Sequence, residues 1–291
     1  MASSFKRTDF HNHIVYDREL RGADLGLFIE TASRRLGRGG YVGVVDYHGC
    51  DGNARESKFE ILSDRLKRTL YNPRKIGGAA LWIPGKDLTL VRVIESEVSQ
   101  GDVLTIGLDA GEAVPTSRGL TLDHALRSIK EVHPTAPIVL DHLFGKCGTG
   151  PYIEQNEHLL EGGLVQGLEV RNRLAIGLPI QMKWDPNGAG ERYYMDLRNR
   201  KPNIQVGATF GTDGYYEKAV GAFWSEIEIA SGEEMESSEM LRQELTRAIS
   251  SAIEIRGHAT WPSYYGVAHH GFDMIKNMGL RRVIKQLLTG K

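Results

Sequence analysis

Asp9, His11 and His13 stand two residues apart near the N-terminus, in Thr8-Asp9-Phe10-His11-Asn12-His13. On a strand from Thr8 to His13, residues at that spacing face the same way, so one face carries a carboxylate and two imidazoles. Imidazoles so placed can give ring nitrogens to one or two metal ions. A lone motif of this kind also occurs on solvated edge strands, so its weight depends on what accompanies it. Five further segments do. Val44-Val45-Asp46-Tyr47-His48 sets an acid and an imidazole after an apolar run, and Val93-Ile94-Glu95-Ser96-Glu97-Val98 carries two acids. Ile138-Val139-Leu140-Asp141-His142 ends in Asp-His; Gly167-Leu168-Glu169-Val170-Arg171-Asn172 and Ala208-Thr209-Phe210-Gly211-Thr212-Asp213 follow. Imidazole with carboxylate and no thiolate suits zinc, manganese or ferrous iron. The two cysteines, Cys50 and Cys147, are too few and too far apart for a thiolate site or a disulfide framework.

The elements that must position these groups are short apolar runs alternating with amphipathic stretches. The runs predict strands over 8–13, 41–46, 88–98, 103–108, 137–142, 168–171 and 204–210, several of them β-branched and short, as buried parallel strands are. Ser99-Gln100-Gly101-Asp102 reads as the turn of a hairpin between the runs at 88–98 and 103–108. Helical periodicity appears over 24–36, from Thr121 onward, and over 237–253. The polar, glycine-bearing stretch 185–200 reads as a surface insertion or lid. Strand-helix-strand repetition argues for a parallel α/β sheet or barrel, whose ligands bind at the C-terminal ends of the strands.

Composition narrows the classes. The chain has 291 residues, 36 basic and 37 acidic side chains, 41% hydrophobic and 25% charged residues. That balance argues against disorder and, through its near-neutral charge, gives no strong nucleic-acid signal. No run approaches a membrane span, and Met1 to Arg7 lacks a signal-peptide core, so a cytoplasmic protein with no membrane partner is expected. No linker divides the chain, and one domain over 1–291 is expected.

In their order, these segments resemble the PHP (polymerase and histidinol phosphatase) family of metal-dependent phosphoesterases. Asp9-Phe10-His11-Asn12-His13 is similar to its D-x-H-x-H strand, and Asp46-Tyr47-His48 to its T-D-H ending with Tyr47 inserted. Glu97-Val98-Ser99 with Gly101-Asp102-Val103-Leu104 resembles the G-x-E strand and hairpin. Asp141-His142-Leu143 resembles A-H-P, Glu169-Val170-Arg171-Asn172 resembles E-x-x-N, and Gly211-Thr212-Asp213-Gly214-Tyr215 resembles G-S-D-A-H. Two departures stand out. Asp102, with Asp109 as a second substitute, stands in place of the hairpin histidine, and Tyr215 in place of the final one.

The resemblance implies a distorted TIM-like (β/α)7 barrel, motif-bearing over 8–230, with a C-terminal helical extension over 231–291. It implies two or three divalent cations (Mn, Zn or Fe) held by His11, His13, His48, Glu97, His142 and Asp213. His11, His13, His142 and Asp213 are then the catalytic core. Asp9 and Asp46 are expected to orient imidazoles through their second N–H, and Glu169 and Asn172 to shape the pocket floor. The implied reaction is hydrolysis of a small phosphomonoester or nucleotide, a hydroxide held by the cations attacking phosphorus. Lys146 and Arg171 are candidates to contact the substrate phosphate, Arg171 with bidentate geometry. Two alternatives stay open. An amidohydrolase-type metallohydrolase shares the His-x-His strand and Asp213 but wants a strand-end lysine. A catalytically impaired binding or regulatory protein is suggested by Asp102 and Tyr215.

Overall fold

The computed structural model describes residues 4–14, 24–48, 57–115, 119–145, 148–173, 185–214 and 217–259. Residues 1–259 form one compact unit, and the second unit, 260–291, lies outside the described residues.

The first strand is set by a partner late in the chain rather than by its own metal motif. β1 (Ser4–Asp9) runs antiparallel to β10 (Phe223–Ile229), from Ser4 opposite Ile229 to Thr8 opposite Ser225. Only Thr8 and Asp9 pair in parallel with β2 (Gly40–His48). The strand therefore ends at Asp9, and the expected alternating face over 8–13 is not a strand face. His11 and His13 lie beyond the ladder, where Asn12 makes an isolated bridge to Gly214. Backbone bonds from Val45 N to Asn12 O (2.8 Å), His13 N to Gly214 O (2.7 Å) and Asp213 N to His11 O (2.7 Å) fix that extension. Gly43 permits it: a Cβ there would stand 2.1 Å from Phe10 O.

From β2 the sheet continues in parallel to β5 (Leu88–Val98), which turns through Ser99-Gln100 into antiparallel β6 (Gly101–Ile106). β6 is antiparallel to β7 (Ile138–Leu140), and β7, β8 (Gly167–Asn172) and β9 (Gly207–Gly211) are parallel. β3 (Arg74–Ile76) and β4 (Ala80–Ile83) hang off β5, and β11 (Gly257–Ala259) off β10. Every run read as a strand overlaps one, the 8–13 run only at Thr8 and Asp9, but the sheet is mixed. It is a nearly closed barrel along a path of nine strands, not an evenly repeating (β/α)7 barrel. Closure between β9 and β10 uses side chains. Ser225 Oγ accepts from Phe210 N at 2.6 Å, and Thr212 Oγ1 both accepts from Phe223 N (3.1 Å) and donates to Phe223 O (3.2 Å).

The outer layer follows the helical periodicity. α1 (Leu25–Leu36) and α2 (Lys58–Lys67) pack Phe28, Ile29, Ala32, Leu62 and Leu66 against Val42, Val44 and Leu90. α3 (Leu122–Val132) starts at Thr121, whose side chain accepts from His124 N. Two short helices follow, α4 (Gly150–Gln155) and α5 (His158–Glu161). The stretch read as an insertion or lid is α6 (Pro186–Arg200), capped by Asp185 and buried through Tyr193, Tyr194 and Leu197. Gly188, Gly190 and its many charges dilute the apolar period, and Gly190 lets the helix approach β8 closely, where a Cβ would stand 2.5 Å from Val170 O. α7 (Ser238–Ser250) sends Leu241, Leu245, Ala248 and Ile249 into a core with Tyr41, Val91, Val93, Val139 and Ile227. Ile249 abuts Gly167 and Gly207, the first residues of β8 and β9, so α7 covers the end of the barrel where those strands begin. Part of the stretch read as an extension is thus integral to the barrel. Among the described residues, no helix is long and apolar enough to cross a membrane.

Candidate metal centre

β1, β2, β5, β7, β8 and β9 run in one direction, so their C-terminal ends share a rim. There His11, His13, Glu95, Asp141, Glu169 and Asp213 are all buried to 5% exposure or less, with the His142 side chain at 14%. The His11 and His13 Nε2 atoms lie 3.0 Å apart. His13 Nε2 is 3.2 Å from both Glu95 Oε2 and Asp213 Oδ1, and His11 Nε2 is 3.6 Å from the same Asp213 oxygen. His142 Nε2 stands 3.3 Å from Asp213 Oδ2 and 3.3 Å from Asp141 Oδ2. Asp213 therefore reaches both groups of imidazoles, one oxygen to each.

The tautomer of His11 follows from its surroundings. Its Nδ1 lies 3.1 Å from Asp141 Oδ1 and 3.3 Å from Glu169 Oε1, so Nδ1 is the nitrogen that would keep its proton when Nε2 takes a cation. Glu169 Oε2 also accepts from His142 N (3.1 Å) and Asn172 Nδ2 (2.9 Å), joining β8 to the turn after β7. His142 (φ 36°) and Asp213 (φ 47°) both hold the left-handed region, which L-residues with a Cβ adopt at a cost. Backbone bonds hold them there: His142 N donates to Asp141 Oδ1 at 2.7 Å, and Asp213 N to His11 O.

Burial alone would neutralise these groups, and the neighbours oppose it. Burial pushes the His11 imidazole down, but Asp141, Asp213 and Glu169 hold it well above its ordinary value. His142 is raised against burial by Asp141 and Asp213, whereas burial prevails at His13 and lowers it. Burial also pushes Asp213 up, but the imidazoles of His11, His13 and His142 draw it well below the usual range. Burial and the adjacent Glu169 carboxylate drive Asp141 well up. Four carboxyl groups and three imidazoles thus crowd one dry site and shift one another's protonation. Asp141 Oδ2 and Asp213 Oδ1 are buried without a hydrogen bond. Divalent cations with nitrogen and oxygen donors fit this set. The groups within reach of a common ion are His11, His13 and Asp213, and His11, Glu95, Asp141 and His142.

The other residues singled out by sequence fall elsewhere. Glu97 lies two residues above Glu95, only part-buried, opposite Asp102 in the hairpin. Asp102 Oδ2 is 3.9 Å from His142 Nδ1, at the edge of the centre. The residue inserted before His48 is absorbed by a bulge between Val45 and Tyr47, which places His48 opposite Glu95. Asp9 orients no imidazole through its described bonds: it accepts from the amides of Thr212 (3.0 Å), Gly221 (2.7 Å) and His11 (3.4 Å), tying β1 to the turn after β9. Asp46 accepts instead from Arg92 Nε (2.6 Å), Ser57 Oγ (2.8 Å) and Phe59 N (2.7 Å). Both members of the Asp46–Arg92 pair are 3% exposed, so Asp46→Ala strands a buried guanidinium. The expected loss is about 3–5 kcal/mol of unfolding free energy, read by urea denaturation of the cation-free protein.

Asp109 is bound to Gly78 N (2.6 Å) and to the Ser238 hydroxyl, away from the centre. Arg171 pairs with Glu191 of α6 at 2.5 Å and lies over the Phe210 ring, so its guanidinium is engaged on the helix side of β8. Lys146 and Tyr215 lie outside the described residues. Two members of the centre are not assigned by sequence, Glu95 and Asp141. Glu95 shares a strand face with Glu97, and spacing does not say which is deeper. Asp141 adjoins His142, which alternation would put on the opposite face. The strand ends at Leu140, however, and the left-handed turn at His142 brings both inward.

No protein-family model matches the chain, and no curated protein sequence matches it. In fold it is similar to PsfC from Pseudomonas syringae PB-5123, with 14% identity and a TM-score of 0.55, over 94% of this chain and 99% of that one. A weaker likeness links it to the lesion-specific endonuclease PfuEndoQ from Pyrococcus furiosus, with 14% identity, a TM-score of 0.47, and coverage of 84% of this chain and 56% of that one. Endonuclease Q in complex with a 27-mer duplex substrate, an abasic lesion at its active site, gives 13% identity, a TM-score of 0.47, and coverage of 82% and 56%. The duplex is Endonuclease Q's own substrate; for this chain the expectation of no nucleic-acid signal no longer stands. That expectation rested on net charge over the whole chain, whereas a nucleic acid is gripped by local contacts and needs no basic excess elsewhere.

Proposed function

We propose that the protein is a metal-dependent hydrolase of phosphate esters of the PHP type. The observation that carries this reading is the convergence of His11, His13, Glu95, Asp141, His142 and Asp213 donor atoms in a buried cluster at the C-terminal rim of the barrel. The order of the motifs supports it. Divalent cations held there would neutralise phosphoryl oxygens and acidify water. The protein's own part is to hold the donors in place. Asp141 and Glu169 fix the His11 ring, Asp213 reaches both groups of imidazoles, and Asn172 steadies Glu169. The amidohydrolase alternative wants a strand-end lysine, and none of β1, β2, β5, β7, β8 and β9 ends in one.

The test is a substrate panel: phosphomonoesters, phosphodiesters, single- and double-stranded oligonucleotides, and cyclic amides. Each is assayed before and after chelation, then with manganese or zinc restored. At least one phosphate ester is cleaved, the activity disappears with chelator and returns with the cation. Cleavage of cyclic amides alone, or phosphate-ester cleavage indifferent to chelation, overturns the reading.

A further inference from the structure

Asp141 stands where the resembled motif carries alanine, yet it is wholly buried among the donors. Its two oxygens have different tasks. Oδ1 is anchored, accepting from His142 N at 2.7 Å and facing His11 Nδ1 at 3.1 Å. Oδ2 has no hydrogen bond and stands 3.3 Å from His142 Nε2. An acid anchored by one oxygen, with the other left bare beside an imidazole nitrogen, has the form of a pre-oriented cation ligand. The two donor groups also differ in chemistry. His11, His13 and Asp213 form an imidazole-rich set, whereas His11, Glu95, Asp141 and His142 hold two carboxylates. Imidazole suits zinc; added carboxylate favours manganese or magnesium.

We infer that Asp141 is a cation ligand through Oδ2, and that it makes the His142 position a hard-cation position distinct from the imidazole-rich one at His13. The inference rests on the proposal that the centre holds cations, and its test reads binding rather than turnover. Chelator-stripped protein is loaded with one equivalent of zinc and titrated with manganese. Free manganese is followed by electron paramagnetic resonance and bound zinc by elemental analysis. The wild type retains zinc and takes up manganese. Asp141→Asn, which keeps the size and an acceptor for His11, weakens manganese binding by more than about a hundredfold, beyond the ten- to hundredfold typical of a residue that only orients a ligand. Its zinc content and its melting temperature without metal stay at the wild-type values. Asp141→Ala does the same to manganese. Manganese binding by Asp141→Asn within about a hundredfold of wild type overturns the inference, as does equal loss of zinc and manganese. In either case the wild type still binds cations and the proposed function stands; a wild type that binds neither metal sinks both.

Discussion

Asp213→Asn lowers kcat/KM for the phosphate ester cleaved by the wild type by about a thousandfold or more, near 4 kcal/mol of transition-state stabilisation. The same change weakens uptake of both cations. The reason is geometric: Asp213 Oδ1 stands 3.2 Å from His13 Nε2 while Oδ2 stands 3.3 Å from His142 Nε2, so one carboxylate serves both halves of the centre. Asparagine is the informative replacement because Asp213 sits at φ 47°, a conformation that asparagine tolerates and alanine resists. Asp213→Ala adds backbone strain to the loss of charge, so its effect is larger but mixed. Steady-state kinetics with added manganese, alongside elemental analysis, reads the result. Wild-type turnover in Asp213→Asn removes the proposed centre.

Glu95→Gln costs more than about a hundredfold in kcat/KM, whereas Glu97→Gln costs less than about tenfold, a difference of at least about 1.4 kcal/mol. The two acids share one strand and one face, so spacing in the sequence does not separate them. Depth separates them. Glu95 is 2% exposed and puts Oε2 3.2 Å from His13 Nε2, while Glu97 is part-buried and paired in register with Asp102 at the hairpin end. Measuring both variants with the same substrate and cation decides the matter. A larger loss at Glu97 than at Glu95 would return the ligand assignment to the one the family motif implies.

Much of this protein is legible in the order of its residues. The apolar runs of β2, β5, β7, β8 and β9 each carry an acid or imidazole near or just beyond the C-terminal end, so the rim and its donor chemistry are written in the chain itself. The hairpin after β5 is equally plain from Ser99-Gln100-Gly101. Less visible are β10, whose alternating Phe223-Trp224-Ser225-Glu226-Ile227-Glu228-Ile229 pattern matters only once β1 is its partner, and α6, whose buried tyrosines are diluted by glycines and charge.

The sequence by itself determined that nitrogen and oxygen donors fall at the C-terminal ends of strands in an α/β sheet or barrel. Only the tertiary structure decided which donors reach the centre. The alternation rule that places side chains on a strand face holds as far as the ladder does, and here the ladders end early: β1 at Asp9, β7 at Leu140 and β9 at Gly211. Past those points the chain is placed by long-range bonds, by the bulge before Tyr47 and by left-handed turns at His142 and Asp213. Those features turn Asp141 and His142 inward together and commit Asp9 and Asp46 to backbone amides, a serine hydroxyl and an arginine. They depend on partners far away in the chain, which local spacing does not encode.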